Sequence, residues 1–405
     1  MISVSLFLAF VLGYFLTQLF RVVNAVAGPA VSAELGLDVA EFGFVTSFYF
    51  LSYAAIQLPL GVLLDRYGPN RVEGTLLLIA AVGTTIFALS DSITTLTIGR
   101  LLMGLGVSSG LMAAFKAFSA LVPPERLPLI NGLHMAAGSL GVLAAGLPVE
   151  LAIEAFGWRG FFIGLAGIAA FGSLVLLFGV RGIPATHTGE SFGAMVRGAG
   201  KIIVSAPFIR IAPIAATTQS SMMALQALWV GPFLRDVAGF TPAYAATVVS
   251  LMGVAVIAGY GLSAFLGDRL VRRYGVPVSA VMLGGCLMVF AIQLCIILVD
   301  PALSAPFWIG FALFGTFTAL SYPALGRYFP VAQTGRVNTS LNFLLFVGGF
   351  LLQWSFGVVV ERLTPAWGLE AAYDGAFLSL VALQAAGYVW YVIRRPGAPS
   401  VATAG

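Results

Sequence analysis

Residues 61–72 read Gly-Val-Leu-Leu-Asp-Arg-Tyr-Gly-Pro-Asn-Arg-Val, and residues 267–276 read Gly-Asp-Arg-Leu-Val-Arg-Arg-Tyr-Gly-Val. Each ends a long apolar run with a tight, charged turn, where Gly and Pro stop a helix and arginines meet water. They recur about two hundred residues apart, after the second and the eighth apolar segments. A charged turn repeated at equivalent places in two halves is the mark of an internally duplicated membrane protein.

Working outward from these turns, the chain divides into twelve apolar segments. They begin with 3–30, 42–63 and 72–90 and end with 338–361 and 372–394, each long enough for the roughly 20 residues that cross a bilayer. Composition agrees. Of 405 residues, 60% are hydrophobic and only 9% charged, against about 25% charged in soluble domains. Mean hydropathy is +1.00. The 48 glycines suit helices that pack closely in lipid. The predicted fold is an all-α membrane protein of twelve transmembrane helices in two pseudo-symmetric six-helix bundles. The first bundle spans 1–181 and the second 206–396, with a cytoplasmic central loop at 182–205 and a cytoplasmic tail at 397–405. The N-terminus is apolar from Met1 and lacks a small-residue cleavage site, so it reads as the first spanning helix.

Basic residues set the orientation. With twelve helices both termini share one side, and 15 of the 20 Lys and Arg fall there. Most acids fall on the opposite side. This predicts cytoplasmic termini in the inner membrane, and the basic pI of 9.2 then reflects orientation, with no nucleic-acid partner. The two cysteines share one apolar segment and read as buried small hydrophobes.

The pattern Gly61-x-x-x-Asp65-Arg66-x-Gly68-x-x-Arg71 resembles the loop signature between helices 2 and 3 of the major facilitator superfamily. Arg100-x-x-x-Gly104-x-Gly106 looks like that family's fourth-helix motif, and Gly157-Trp158-Arg159-x-x-Phe162 like the start of its sixth helix. Asp268-Arg269 resembles a degenerate second copy of the loop. The resemblance spans the whole chain and implies a secondary transporter working by alternating access. Within the family, Phe20-Arg21-Val22-Val23-Asn24 is similar to the arginine-bearing first helix of organic-anion carriers, the anion:cation symporters and organophosphate antiporters. It departs from the sugar-acid group, in which an acidic residue precedes the arginine and another lies in helix four. Here those positions hold Phe20 and approximately Val107. On physical grounds Asp65 ends a helix where cations and helix N-termini can pair with it in one conformation, which biases a two-state equilibrium; the bland alternative is a topology anchor.

The first helix carries a polar stripe of Gly13, Tyr14, Thr17, Gln18, Arg21, Asn24 and Gly28, spaced three and four apart on one face. Arg21 lies too deep to snorkel easily. A buried cation there costs about 2.5–3.5 kcal/mol on insertion scales, so something must compensate. All 16 acids read as loop or helix-end residues, and no carboxylate offers itself. Either backbone carbonyls, Gln18 and water satisfy the guanidinium, or an anionic solute supplies the charge. A guanidinium grips a carboxylate or phosphate with two parallel hydrogen bonds, and the anion is the reading adopted.

Around it, Tyr49, Tyr53 and Gln57 repeat along helix 2, Gln219 and Gln226 along helix 7, and Asn342 and Gln353 along helix 11, with Tyr322 in helix 10. These amides and phenols suit the remaining oxygens of a solute, or serve as interhelical glue. Lys116 shapes the field or snorkels, and Arg100 adds a second cation or a helix contact. His134 either carries a coupling proton or packs as a hydrogen-bonded core residue. No nucleotide-binding loop, metal motif or catalytic triad occurs, so neither cofactor nor enzymatic activity is expected. The function expected is transport of a small organic anion, proton-coupled or by anion exchange, by a monomer in the bilayer. The alternatives are an exporter of neutral or amphiphilic compounds and a non-transporting solute sensor.

Overall fold

The computed structural model describes residues 4–123, 126–180, 183, 192–330 and 333–394. The tail at 397–405 and most of the central loop, His187 included, lie outside the described residues. What is described is almost wholly helical. Ten stretches are long and apolar enough to cross a bilayer, an eleventh (Ala206–Val237) joins a sharply bent pair, and Leu129–Ala144 is a shorter apolar helix.

We number the spans α1 (Val4–Val22 continued by Asn24–Leu35), α2 (Val39–Tyr67), α3 (Pro69–Ala88) and α4 (Ile93–Leu121). Next come α5 (Leu127–Ala144 continued by 147–156), α6 (158–179), α7 (Ala206–Val237) and α8 (Pro242–Tyr274). The last are α9 (Val278–Leu298), α10 (Ala305–Gly326), α11 (Thr334–Trp367) and α12 (Leu369–Ile393). The linker helix, Phe192–Ile203, meets α7 at an 83° bend, as a segment lying along a membrane surface would.

The ends of these helices follow from local chemistry. Asp38 caps α2 with a reciprocal Glu41 contact, accepting from the Glu41 N–H at 2.7 Å while Glu41 accepts from Asp38 N–H at 3.1 Å, which satisfies two orphan donors. Gly68, at φ +84°, turns the chain into Pro69, the first residue of α3. Gly157, at φ +68°, divides α5 from α6. Only glycine adopts that backbone readily, which explains the Gly157 of the Gly-Trp-Arg motif.

The halves meet where α2 packs on α11, α5 on α8 and α1 on α7. Between α2 and α11 runs an aromatic seam, Phe44–Trp354, Phe48–Phe350 and Tyr53–Phe346, the last stacked at 3.8 Å. At the end away from the termini the halves are sealed. Gly231 of α7 lies so close to the Ala25 carbonyl of α1 that any side chain would overlap it. Gln353 Nε2 donates to Thr46 Oγ1 at 2.7 Å, Ala40 N–H to Glu361 at 3.1 Å, and Leu147 N–H to Ser250 Oγ at 2.8 Å. Toward the termini the same helices part around a cavity.

Candidate solute-binding cavity

The cavity lies between the halves, with a volume of about 310 Å³, at the small end of the range for ligand sites. One wall is the polar stripe of α1: Tyr14, Thr17, Gln18 and Arg21. The stripe faces inward because a lipid-facing surface would leave these groups without partners. Tyr49 and Tyr53 of α2 and Gln219, Thr318, Tyr322, Asn338 and Asn342 of the second half add further polar groups. Seven of the residues singled out from the sequence as solute-binding therefore border one space: Gln18, Arg21, Tyr49, Tyr53, Gln219, Tyr322 and Asn342. Methionine, leucine, phenylalanine and alanine, with Tyr260 of α8, supply the rest. Sequence reasoning passed over Tyr260. Its spacing from polar neighbours on α8 offered no stripe to flag it.

Among the described residues, Arg21 is the only charged side chain on the lining, and no Asp or Glu borders the cavity. Its Nε is buried without an acceptor, and no ion pair reaches it among the described residues. The phenols and amides around it are oriented by one another. Tyr49 Oη donates to the Thr17 carbonyl at 3.0 Å, Tyr322 donates to Asn342 Oδ1, and Thr318 to Gln219 Oε1.

The other candidates are placed elsewhere. Asn24, one turn past Arg21, is fully buried on the sealed side with neither amide atom bonded. Gln226 is likewise buried, and Gln353 latches α11 to α2. Gln57 is buried on α2, donating to the Ser108 carbonyl at 3.3 Å. His134 is wholly enclosed, stacked on Tyr14 at 5.1 Å and edge-on to Phe118 at 5.4 Å. It packs behind the cavity wall.

Lys116 neither snorkels alone nor faces the cavity. It pairs with Asp65 at 2.5 Å, so the loop carboxylate is bound to α4. Arg100 does not add to the cavity's field as a lining group. It is 1% exposed, donating to the Phe20 carbonyl at 3.3 Å and lying 4.9 Å from the Tyr49 ring. It thus braces α1 and α2 from behind, while Gly104 and Gly106 of the same motif let α4 approach Tyr49 and Ala80. Of the remaining signature residues, Arg66 lies over Tyr67 at 5.4 Å, Arg71 is exposed, and Gly61 has open space around it. In the second copy Asp268 pairs with Arg272 of its own helix at 2.5 Å, and Arg269 lies 6.0 Å from Phe265. Among the described residues, the copy therefore makes no ion pair to another helix like that of Asp65.

One expectation needs correction. Glu73, read as a helix-end acid, is 1% exposed and sealed inside the first half. Its neighbours on α1 and α6 extend past the start of α3 and cover it.

With this geometry in view, comparison with known proteins is decisive for the family. Residues 10–352 match the model of the Major Facilitator Superfamily. The chain belongs to that superfamily. A probable sulfoacetate transporter of Cupriavidus necator is 26% identical over 398 residues, covering 91% of this chain and 90% of that protein. A probable L-galactonate transporter of Escherichia coli is 28% identical over 41% of this chain and 36% of its own length. Among solved structures, a bacterial homologue of the human lysosomal transporter Spinster superposes with a TM-score of 0.76 at 17% identity, covering 96% of each chain. That likeness speaks to the fold. This major facilitator protein is a multi-pass membrane transporter of small solutes, and its relatives are transporters, not enzymes.

Proposed function

We propose that this transporter carries a small organic anion of the carboxylate type by alternating access, with Arg21 gripping its acid group. The observation that carries the reading is the lone Arg21 guanidinium on the cavity wall, with no carboxylate against it among the described residues. A half-buried cation without a counter-charge is stabilised by an incoming anion, and it repels cationic solutes. Gln18, Gln219, Asn342, Tyr53 and Tyr322 then hold the solute's remaining polar atoms, while Asp65, Lys116 and the loop signature set the balance between open states. The sulfonate and sugar-acid relatives support the anion class. The small volume argues against a broad exporter of amphiphiles. By the distribution of basic residues, both termini are placed on the cytoplasmic side, so the cavity opens toward the cytoplasm and the seal faces outward.

The test is a thermal-shift screen of the purified protein against small carboxylates and sulfonates, repeated with Arg21→Ala. Stabilisation by an acid in the wild type that vanishes in the variant is the expected result. Equal stabilisation of both proteins would remove Arg21 from the site.

A further inference from the structure

We infer that Glu73 is the proton-binding site that couples anion movement to a proton gradient; this deepens the anion reading above and rests on it. Glu73 lies on α3, four residues after Pro69, and neither carboxyl oxygen has a hydrogen-bond partner. The carboxyl lies against Gly13 of α1, so closely that a methyl group at position 13 would overlap Oε1. Gly110 of α4 closes on the same turn of α1, near Thr17 Oγ1. On the other side Ser173 of α6 gives its hydroxyl to the Gly74 carbonyl at 2.7 Å, and Leu177 packs on Gly74. The surroundings of the carboxyl are thus glycine, backbone already bonded, and hydrocarbon.

Among the described residues, no charge from a neighbouring helix pairs with it. On α1 the nearest titratable group is Tyr14, beside Gly13, with Arg21 two turns further on. On α4, Lys116 is engaged with Asp65 of α2, and Arg100 is turned to Phe20 and Tyr49. Arg66 of α2 and Arg71 of α3 are exposed. The Arg159 of α6 pairs with Glu34 at the sealed end. His134 of α5 stacks on the Tyr14 ring. An ionised carboxylate with neither cation nor donor is not sustained in such a place. Glu73 holds a proton in this conformation.

Its position ties that proton to the solute. Glu73 touches the helix that carries Arg21, about 12 Å further along at 1.5 Å per residue. Two forms of this bundle are electrically balanced. In one, Arg21 holds a monovalent anion and Glu73 is neutral; in the other the cavity is free of solute and an ionised Glu73 offsets Arg21. The half-loaded forms leave one net charge among apolar helices, which disfavours reorientation through a closed state. Proton and anion therefore cross together. The open cavity described here, with a cation awaiting its partner and a protonated acid behind it, is the form poised to bind or to have just released the anion.

Two measurements on the full chain test this. Infrared spectra of the detergent-purified protein, taken across neutral pH, should contain the carbonyl stretch of a protonated carboxyl that Glu73→Gln removes. Absence of that band in the wild type overturns the assignment, whatever the variant does. In proteoliposomes, L-galactonate, a monovalent anion, and sulfoacetate, a dianion at neutral pH, are each offered with an inward proton gradient, and the one-proton balance is read on L-galactonate. One pH unit should sustain about tenfold accumulation of a monovalent acid moved with one proton, and Glu73→Gln should bring the ratio to about one. Glutamine copies the shape of the neutral acid, so a merely structural Glu73 predicts unchanged accumulation in that variant, and this result sinks the coupling role. If neither acid is moved by the wild type, coupling falls together with the anion reading, and the infrared result still decides whether residue 73 holds a proton.

Discussion

Replacing Arg21 by methionine should stabilise the protein when no solute is present and abolish its stabilisation by acids. Methionine follows much the same path as the arginine stem but carries no charge. A central arginine costs about 2.5–3.5 kcal/mol on insertion scales. Arg21 is half-buried and borders an open cavity, so water relieves part of that cost and about 1–2 kcal/mol remains to be recovered. No counter-charge is stranded by the change, because none reaches Arg21 among the described residues. In the presence of an acid at a hundred times its Kd, the wild type gains about 2.7 kcal/mol and the variant gains nothing, so the order of stability inverts. Scanning fluorimetry in detergent, with and without the acid, reads both signs in one experiment. The reasoning fails if Arg21→Met without solute is the less stable protein by about 3–5 kcal/mol, the penalty for orphaning one member of a buried ion pair. That result means a carboxylate already neutralises the guanidinium.

Three further outcomes follow from the contacts described. Asp65→Asn breaks the pair with Lys116, whose side chains are 24% and 31% exposed; pairs this wet contribute about 0–1 kcal/mol to stability. Transport should therefore drop several-fold while the amount of protein inserted in the membrane stays level, and parallel losses of both would reduce Asp65 to a topology anchor. Gln353→Ala removes the amide that latches α11 to Thr46 of α2, worth about 1 kcal/mol, so the population sealed at the far end should fall about fivefold relative to the open one. Spin-label distances across that end report the shift, and an unchanged distribution refutes the latch. Gly231→Val places a branched side chain on the Ala25 carbonyl, holding the far end apart. Transport should be lost, and the thiol of Ala246→Cys, at a buried α8 position against Gly146 of α5, should become reactive from that side; a thiol still shielded would contradict the seal.

Much of this architecture was legible because it rests on short-range rules. Twelve spans follow from runs of apolar residues, and their ends from Asp38, Gly68, Gly157 and Gly368 (φ +81°, between α11 and α12), each of which acts on its own few neighbours. The α1 stripe was legible for the same reason, since Tyr14, Thr17, Gln18 and Arg21 share a face by helical spacing alone. The limit appears at Asn24, on that very face. Whether a stripe residue meets the cavity or the seal depends on where α1 crosses α7, and the contact that decides this, Gly231 against Ala25, joins residues about two hundred apart. The same limit hid the role of Gln353, whose partner Thr46 is 307 positions away.

Glu73 shows the limit in its most consequential form. By position it is an ordinary acid in the first turns of a helix, where a carboxylate is stabilised by the helix dipole and by water. Its burial comes from three other helices, of which α1 and α6 do not adjoin α3 in sequence. Gly13, Gly110 and Ser173 come from three other spans, and each is unremarkable when read alone. Gly13 reads from the sequence only as a small member of the α1 stripe; the folded bundle makes it the gap that admits a carboxyl group. The chemistry of a duplicated carrier is thus written at two scales. The cation that selects the solute is visible along a single helix, and the acid that balances it emerges only where four helices meet.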